Sequence, residues 1–361
     1  MQSRGRGSPP QESVDNLPLP TYIMEGPDCE GVDMAEYSVA WWNLENLFDV
    51  EGSPARPEWA RTELLKELKG WTGAVLDRKL SQLSLIIRKI NEGHGPDILG
   101  VGEVENKSVL ERLVEKLGAL GRHYAVAHWD TTEDKRAIDV AFIYDADKFS
   151  AHEQFSYVVL KRTGTRDLFQ VNFRSTSGRR LVIVGNHWPS RTGGQLETEA
   201  FRCQAGETLA YWMKRIPEKS GNPLIPTLLL GDFNDEPSDR ALASHLLSSN
   251  SALQVLNARD APRVFNLMWT FLAQGIGTHY FNNTPNLLDQ ILVGKSLLSG
   301  AGGLRVKGTM QASYAVRVER YPEMTDQGTY PRPVRFGRPS SKLNETGFSD
   351  HFPVSVVLEE I

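Results

Sequence analysis

The stretch Pro226–Asp235, PTLLLGDFND, decides how this sequence folds. A short apolar run between a proline and a glycine has the length and boundaries of a buried strand. Asp232 follows directly, and a carboxylate at that place is fixed by the sheet while the strand end exposes it. The pattern recurs along the chain. Upstream stand YSVAWWN (Tyr37–Asn43), PDILGV (Pro96–Val101, with Glu103 just beyond) and RRLVIVGNH (Arg179–His187). Downstream come LLDQILV (Leu287–Val293) and, after Asp350 and His351, PVSVVLE (Pro353–Glu359). IDVAFIYD (Ile138–Asp145), FSYVVL (Phe155–Leu160) and LFQVNF (Leu168–Phe173) add strands rich in β-branched and aromatic residues. Helical spacing lies between them: Leu76, Leu80, Leu83, Ile87 and Ile90; then Leu110, Leu113, Val114 and Leu117; then Leu196 to Ile216. SDRALASHLL reads as a further helix with Ser238 as N-cap. Hairpin-like runs mixed with crossover helices imply sheets buried beneath helical layers.

Composition narrows the function classes. The chain has 361 residues, 40% of them hydrophobic, with 40 Lys+Arg against 45 Asp+Glu for a net charge of −5. That supports a sizeable core, and a mildly acidic chain must meet any phosphate-bearing partner through local charge or a metal. No apolar run reaches the ~18 residues of a membrane span. Cys29 and Cys203, the two cysteines, make neither a disulfide framework nor a zinc site. Residues 1–33 are rich in Gly, Pro, Ser and Arg without apolar period, and are expected to be disordered. They lack a signal-peptide core, so the expected compartment is the cytoplasm, unless a signal has been removed. Residues 34–361 are expected to form one domain. The segment from Val293 to Phe348 reads as a long decorated loop, ordered or disordered.

Taken singly, the polar residues at the strand ends are weak signals: a lone histidine is usually structural, and GDFND alone could be an Asx turn. Asp289, inside an apolar strand, needs a partner, and a histidine would serve. Their order says more. NLEN (43–46), GEVEN (102–106), RAIDVAFIY (136–144), GNHWPSR (185–191), GDFND (231–235), LLDQILV and FSDHFPV (348–354) together resemble the endonuclease/exonuclease/phosphatase superfamily. This superfamily includes pancreatic-type deoxyribonucleases, apurinic endonucleases, sphingomyelinases and inositol-polyphosphate phosphatases. The resemblance runs from about Val39 to Leu358. It implies a single four-layer α/β sandwich, with two mixed β-sheets face to face and helices outside.

It also implies roles. Glu103 matches the metal carboxylate, suited to Mg²⁺ or Mn²⁺. Glu45 matches a second acidic ligand, as Glu where apurinic endonucleases usually carry Asp, and Asp350 would bind metal or hold its loop. His351 and Asp289 match the His–Asp pair, Asp232 the residue that activates water or protonates the leaving group, and Asn234 a phosphate contact. Asn43 belongs to the network around the metal and phosphate. His187 falls where pancreatic-type deoxyribonucleases carry a second catalytic histidine. Arg136 lies near their phosphate-contacting arginine.

The implied enzyme is a metal-dependent phosphodiesterase, with a nuclease placed first. The alternatives are a phosphohydrolase acting on a lipid headgroup or small phosphoester, and a catalytically dead binding module. For nucleic acid stand Arg191, Trp188 and Tyr280, the last within an aromatic stretch from His279 to Phe281, as basic and stacking contacts. The competing account puts Trp188 in the core and the arginines on a solvated face. No obligate protein partner is implied.

Overall fold

The computed structural model describes residues 34–131, 136–259, 262–309, 313–328 and 330–361. The expectation of disorder for residues 1–33 falls outside them. In chain order the strands are β1 Glu36–Leu47, β2 Ile98–Val104, β3 Tyr124–His128, β4 Asp139–Asp145, β5 Phe149–Tyr157, β6 Leu168–Ser175, β7 Arg180–His187 and β8 Thr227–Asp232. They continue with β9 Ser248–Ser249, β10 Val264–Asn266, β11 His279–Phe281, β12 Thr284–Asn286, β13 Asp289–Val293, β14 Leu304–Val306, β15 Val316–Val318 and β16 Val354–Glu360. The helices are α1 Glu58–Leu68, α2 Gly73–Ile87, α3 Lys107–Lys116, α4 Gln195–Lys219, α5 Ala252–Asn257, α6 Trp269–Ala273 and α7 Lys295–Ser299.

Among the described residues two seven-stranded mixed sheets form, one ordered β14-β16-β1-β2-β4-β3 with β15 also on β16, the other β5-β6-β7-β8-β13-β10-β9. The two-residue period of a strand explains why they stack. Along β1, Val39 and Trp41 enter the core between the sheets, whereas Ala40, Trp42 and Leu44 face the helix-side core with α1, α2 and α3. Along β8, Leu228 and Leu230 point inward and Leu229 packs with α4 residues such as Leu209 and Met213. The result is helix, sheet, sheet, helix: the four-layer α/β sandwich the sequence implies. Each buried Leu, Ile, Val or Phe stabilises the stack by about 1.5–3 kcal/mol relative to exposure. Two glycines set the sheet spacing. A Cβ on Gly100 would lie 2.6 Å from Leu230 Cδ1 of the opposite sheet, and one on Gly185 would lie 2.5 Å from Val140 Cγ1.

Local expectations fare unevenly. The Leu76–Ile90 period becomes α2, whose N-cap Thr72 accepts a hydrogen bond from the Val75 amide, and α3 starts on Asn106, which caps Val109. The strand expected at Phe155–Leu160 is instead the end of β5, which begins at Phe149; Val158 and Leu160 are exposed after it ends at Tyr157. α1 carries no strong apolar period and was not expected. SDRALASHLL forms only a helical turn at Ala241–His245, with no side-chain cap. Asp239 ties that segment down, accepting a hydrogen bond from the Glu236 amide at 2.8 Å. The Val293–Phe348 segment holds α7, β14 and β15 and then folds back over the sandwich end. No helix among the described residues is long and apolar enough to cross a membrane.

One buried ion pair locks α4 to the turn after β8. Arg202 Nε donates to Asp235 Oδ1 at 2.7 Å, with both side chains essentially without solvent exposure. The guanidinium also donates to Thr198 Oγ1 and to the Gln195 carbonyl, each at 2.7 Å. Arg202→Met strands a buried carboxylate and is expected to cost about 3–5 kcal/mol. Denaturant unfolding checks this; a loss under 1 kcal/mol would assign Asp235 to Arg191 alone.

Candidate active site

The register brings the strand-end residues to one end of the sandwich. Asp232 ends β8 beside His187 at the end of the parallel β7, and it pairs with Asp289 at the start of the antiparallel β13. Asn43 and Glu45 lie at the end of β1 and Glu103 near the end of the parallel β2. His351 precedes β16, which runs antiparallel to β1, so it returns to the same end. Glu45, Asn46, Glu103 and Asn234 all have left-handed backbones, with φ between 51° and 61°. Such φ values cost non-glycine residues energy and cluster where side chains must be aimed.

The site centres on His351. Its Nδ1 lies 2.6 Å from Asp289 Oδ2, and Asp289 Oδ1 accepts a hydrogen bond from Trp41 Nε1 at 2.8 Å. The Asp289 amide donates to Thr278 Oγ1 at 3.0 Å. Both carboxylate oxygens and the backbone of Asp289 are therefore fixed. Burial opposes charge on the His351 ring, but Asp289 first, then Asp232 and Asp350, outweigh it, and its pKa stands well above the usual histidine value. His351 Nε2 faces Asp232 Oδ2 at 4.0 Å. Burial pushes the Asp232 carboxyl up to about 6 against the pull of His351. Asn43 Nδ2 donates to its Oδ2 at 3.2 Å and the Asn234 amide to its Oδ1 at 2.9 Å.

His187 is buried, with Nε2 at 3.7 Å from Asp232 Oδ2 and 3.8 Å from Glu103 Oε1. Its Nδ1 has no hydrogen-bond partner among the described residues. Burial, then Arg166, Arg136 and His351, hold it well below the usual histidine pKa, so it is neutral. Asn234 Nδ2 donates to the Trp188 carbonyl at 3.1 Å, which ties β7 to β8.

The acidic residues divide into two groups. Glu103 Oε2 accepts from the Asn46 amide at 2.8 Å, while Oε1 accepts no hydrogen bond among the described residues. Glu45 is already engaged: Oε1 takes the Arg335 guanidinium at 2.7 Å and Oε2 the Phe336 amide at 2.9 Å. Arg335 also reaches Asp350 Oδ2 at 3.5 Å. Glu45 therefore anchors the long loop, which departs from the ligand role implied by the resemblance. Beneath it lies Lys79 of α2, fully buried, donating to the Glu45 carbonyl at 2.5 Å. Burial lowers the Lys79 pKa to about 8, while Glu45, Asp350 and Glu103 pull the other way.

A cleft of roughly 710 Å³ opens over these groups, lined by Glu103, Asp232, Asn234, His187, Asp350 and His351 among others. Arg136 reaches it, with Nη2 donating to Asn46 Oδ1 at 2.6 Å. Three expected substrate contacts are corrected here. Trp188 is fully buried against Phe233, so its indole presents no face to a base. Tyr280 packs edge-on against Phe352 and does not line the cleft; the neighbouring Phe281, 66% exposed, does. Arg191 lines the cleft, but its guanidinium is held by the Asn234 carbonyl, Asn286, Asp235 and Asp239. The donors it would bring to a phosphate are thus already bound internally.

The sequence reading missed Lys79 and Arg335, and named His279 only as the start of the aromatic stretch to Phe281. Lys79 had a signal: it falls three residues after Leu76 and four before Leu83, a charge on the apolar stripe. His279 ring-packs on His351 at 4.8 Å, and burial lowers its pKa to about 4. Among the described residues, the one set of three or more His, Cys, Asp or Glu donors within 4.8 Å of one another is His128, Asp130 and Asp139, which does not line this cleft.

A sandwich with these groups at one end belongs to a class of phosphoester hydrolases. The model of the endonuclease/exonuclease/phosphatase family matches residues 38–360, and the chain belongs to that family. An endonuclease/exonuclease/phosphatase family protein from Bacteroides thetaiotaomicron shares the fold at a TM-score of 0.51 and 17% identity, covering 91% of this chain and 99% of that one. Truncated TDP2 from Caenorhabditis elegans aligns at a TM-score of 0.51 and 14% identity, covering 90% of this chain and 98% of that one. No curated protein sequence matches the chain.

Proposed function

We propose that this chain is a metal-dependent phosphodiesterase acting as a nuclease. One observation carries the reading: a rigidly held His351–Asp289 pair, His351 from just before β16 in one sheet and Asp289 from β13 in the other, faces Asp232 of β8, the neighbour of β13, across 4.0 Å. Asp289 accepts the Nδ1 proton and so aims the Nε2–H of the imidazolium into the cleft, where it donates to a phosphoryl oxygen as negative charge builds. Asp232, its pKa raised by burial to about 6, accepts a proton from the attacking water in its ionised form. Asn43 and the Asn234 amide fix its two oxygens for that transfer. His187, neutral, offers Nε2 between Asp232 and Glu103 as a hydrogen-bond partner for the phosphate.

The donor set fits a hard divalent ion. Glu103 has an open oxygen and Asp350 lies at the same end, and one or two carboxylates with waters and substrate phosphate oxygens suffice for Mg²⁺ or Mn²⁺. When bound, the ion neutralises phosphate charge and lowers the pKa of water. Glu45 keeps the Arg335 loop in place beside it. Arg136 and Arg338 meet the polyanion, and Phe281 offers the exposed ring on which a base stacks.

The test is a substrate panel with Mg²⁺ or Mn²⁺: single-stranded DNA, supercoiled DNA, RNA, sphingomyelin, bis-p-nitrophenyl phosphate and its monoester. Cleavage of a polynucleotide and of the small diester, with Phe281→Ala weakening only the former, is the expected result. Intact DNA and RNA beside a consumed headgroup or monoester would overturn the nuclease assignment.

A further inference from the structure

Away from the cleft, the junction of β3 and β4 gathers another set of donors. β3 ends on His128 and β4 begins on Asp139, and the strands pair antiparallel with His128 opposite Ala141. Asp139 lies two residues before Ala141 and so projects from the same face as His128. Asp130 follows two residues after His128, at the start of the connection between the strands. One histidine and two aspartates thus share a side, and one donor atom from each lies within 4.8 Å of the others. None of the three lines the catalytic cleft.

His128 is buried without a partner for one nitrogen. Its side chain is 2% exposed, and its Nε2 has no hydrogen-bond partner among the described residues. A buried polar atom in that state costs stability until something fills it. Nε2 faces Asp139 Oδ2 at 4.0 Å, and Nδ1 is 3.7 Å from Asp130 Oδ1, both too long for hydrogen bonds. Two donors bonded tetrahedrally to one ion at about 2.1 Å stand roughly 3.4 Å apart, so a small adjustment closes the 4.0 Å spacing onto an ion. Asp139 is buried and positioned, its Oδ1 accepting from the Thr131 amide at 3.3 Å. A carboxylate offers about four acceptor positions, so Asp139 can ligate beside the partners it already has. The Asp130 carboxylate, in contrast, is exposed and reaches the pair from the solvent side. Burial, with Lys107 adding to it, lowers the His128 pKa against the pull of Asp130, which keeps the ring in the neutral form that binds metals.

We propose that His128, Asp130 and Asp139 form a metal site distinct from the cleft, which takes a divalent transition ion of the Zn²⁺ kind with water in the remaining position. Imidazole beside carboxylates selects Zn²⁺ over Mg²⁺ and Ca²⁺, which prefer oxygen donors alone. The ion joins the last residue of β3 to the first of β4. Arg136, which lines the cleft and donates to Asn46 Oδ1, lies in the chain between Asp130 and Asp139. The ion therefore closes the base of the connection that carries Arg136, and the chemistry stays at His351 and Asp232. The site stands whether or not the substrate is a nucleic acid.

Equilibrium dialysis against Zn²⁺ tests the site in the full chain carrying Glu103→Gln, which lacks the open carboxylate of the cleft. Stripped with chelator and returned to excess Mg²⁺, this protein is expected to take up one Zn²⁺ per chain and to melt at a higher temperature with it. Adding His128→Ala should abolish the uptake. Adding Asp130→Asn changes a side chain that is 81% exposed, so the fold does not depend on it, and should weaken Zn²⁺ binding by about 10-fold or more. The ring-nitrogen NMR shifts of His128 should also move when Zn²⁺ is added. No stoichiometric Zn²⁺, or Zn²⁺ held with unchanged affinity in the Asp130→Asn protein, would overturn the site, whatever His128→Ala does to folding.

Discussion

His351→Ala is expected to lower kcat on a small phosphodiester by roughly 10²–10⁴, the range for a positioned proton donor or acceptor. The structural reason is the chain from Trp41 Nε1 through Asp289 to the imidazole, which leaves the ring one orientation and holds it charged. Asp289→Asn should cost no more than His351→Ala, because Asp289 reaches the substrate only through that ring. An asparagine at position 289 that turns its NH₂ to Nδ1 leaves the ring proton on Nε2 but no longer stabilises the imidazolium, so the ring donates only as a weaker, neutral group. The double variant should then be close to the worse single variant, since the second change removes nothing still in use. Circular dichroism and melting temperature establish that each variant is folded, and kcat is read at saturating metal. Losses that multiply, with all variants folded, would show that Asp289 and His351 act separately and would dissolve the pair.

The layers of the fold were legible because the sheets are buried on both faces. Runs such as TLLLGD and RLVIVGNH have few polar residues until the strand ends, and the first polar residue marks the edge where the site lies. Asp289 was legible for a related reason, as a charge inside a buried strand that demanded a partner. Trp188 was misread because sequence position beside His187 suggests a shared surface. In a strand successive side chains alternate faces, and the indole goes into the α4-side core. Arg191 and Glu45 show a different limit. Their residue types suit phosphate and metal, but their partners, Asp239 and Arg335, lie 48 and 290 positions away and no local pattern announces the contact. The boundary of β5 failed because a β-branched pair, Val158 and Val159, follows the true strand end; propensity there is outweighed by the pairing with β6, which stops at Leu168.

Chelation is expected to abolish hydrolysis, and added Mg²⁺ or Mn²⁺ to restore it, because the cleft hydroxyls, Ser190 and Thr192, hydrogen-bond to each other at 2.9 Å and attack of water on an anionic diester needs a cation to offset its charge. Two glutamates separate the places where that cation is held and where the site is held together. Glu103→Gln keeps an oxygen for the Asn46 amide but replaces the open carboxylate oxygen facing the cleft. It should raise the metal concentration for half-maximal rate by 10-fold or more and lower kcat by about 10²-fold, at an unchanged melting temperature. Glu45→Gln should do the opposite. It removes the charge that grips Arg335, so the melting temperature falls, while the metal requirement of the remaining activity stays near that of the wild type. A buried Lys79 beneath Glu45 sharpens the contrast, since losing the carboxylate leaves that cation with weaker compensation. Titrating Mg²⁺ against rate for both variants, with thermal melts alongside, reads the two effects independently. Full turnover in excess chelator would overturn the metal requirement, and a larger metal shift in Glu45→Gln than in Glu103→Gln would make the Arg335-bound carboxylate the metal ligand.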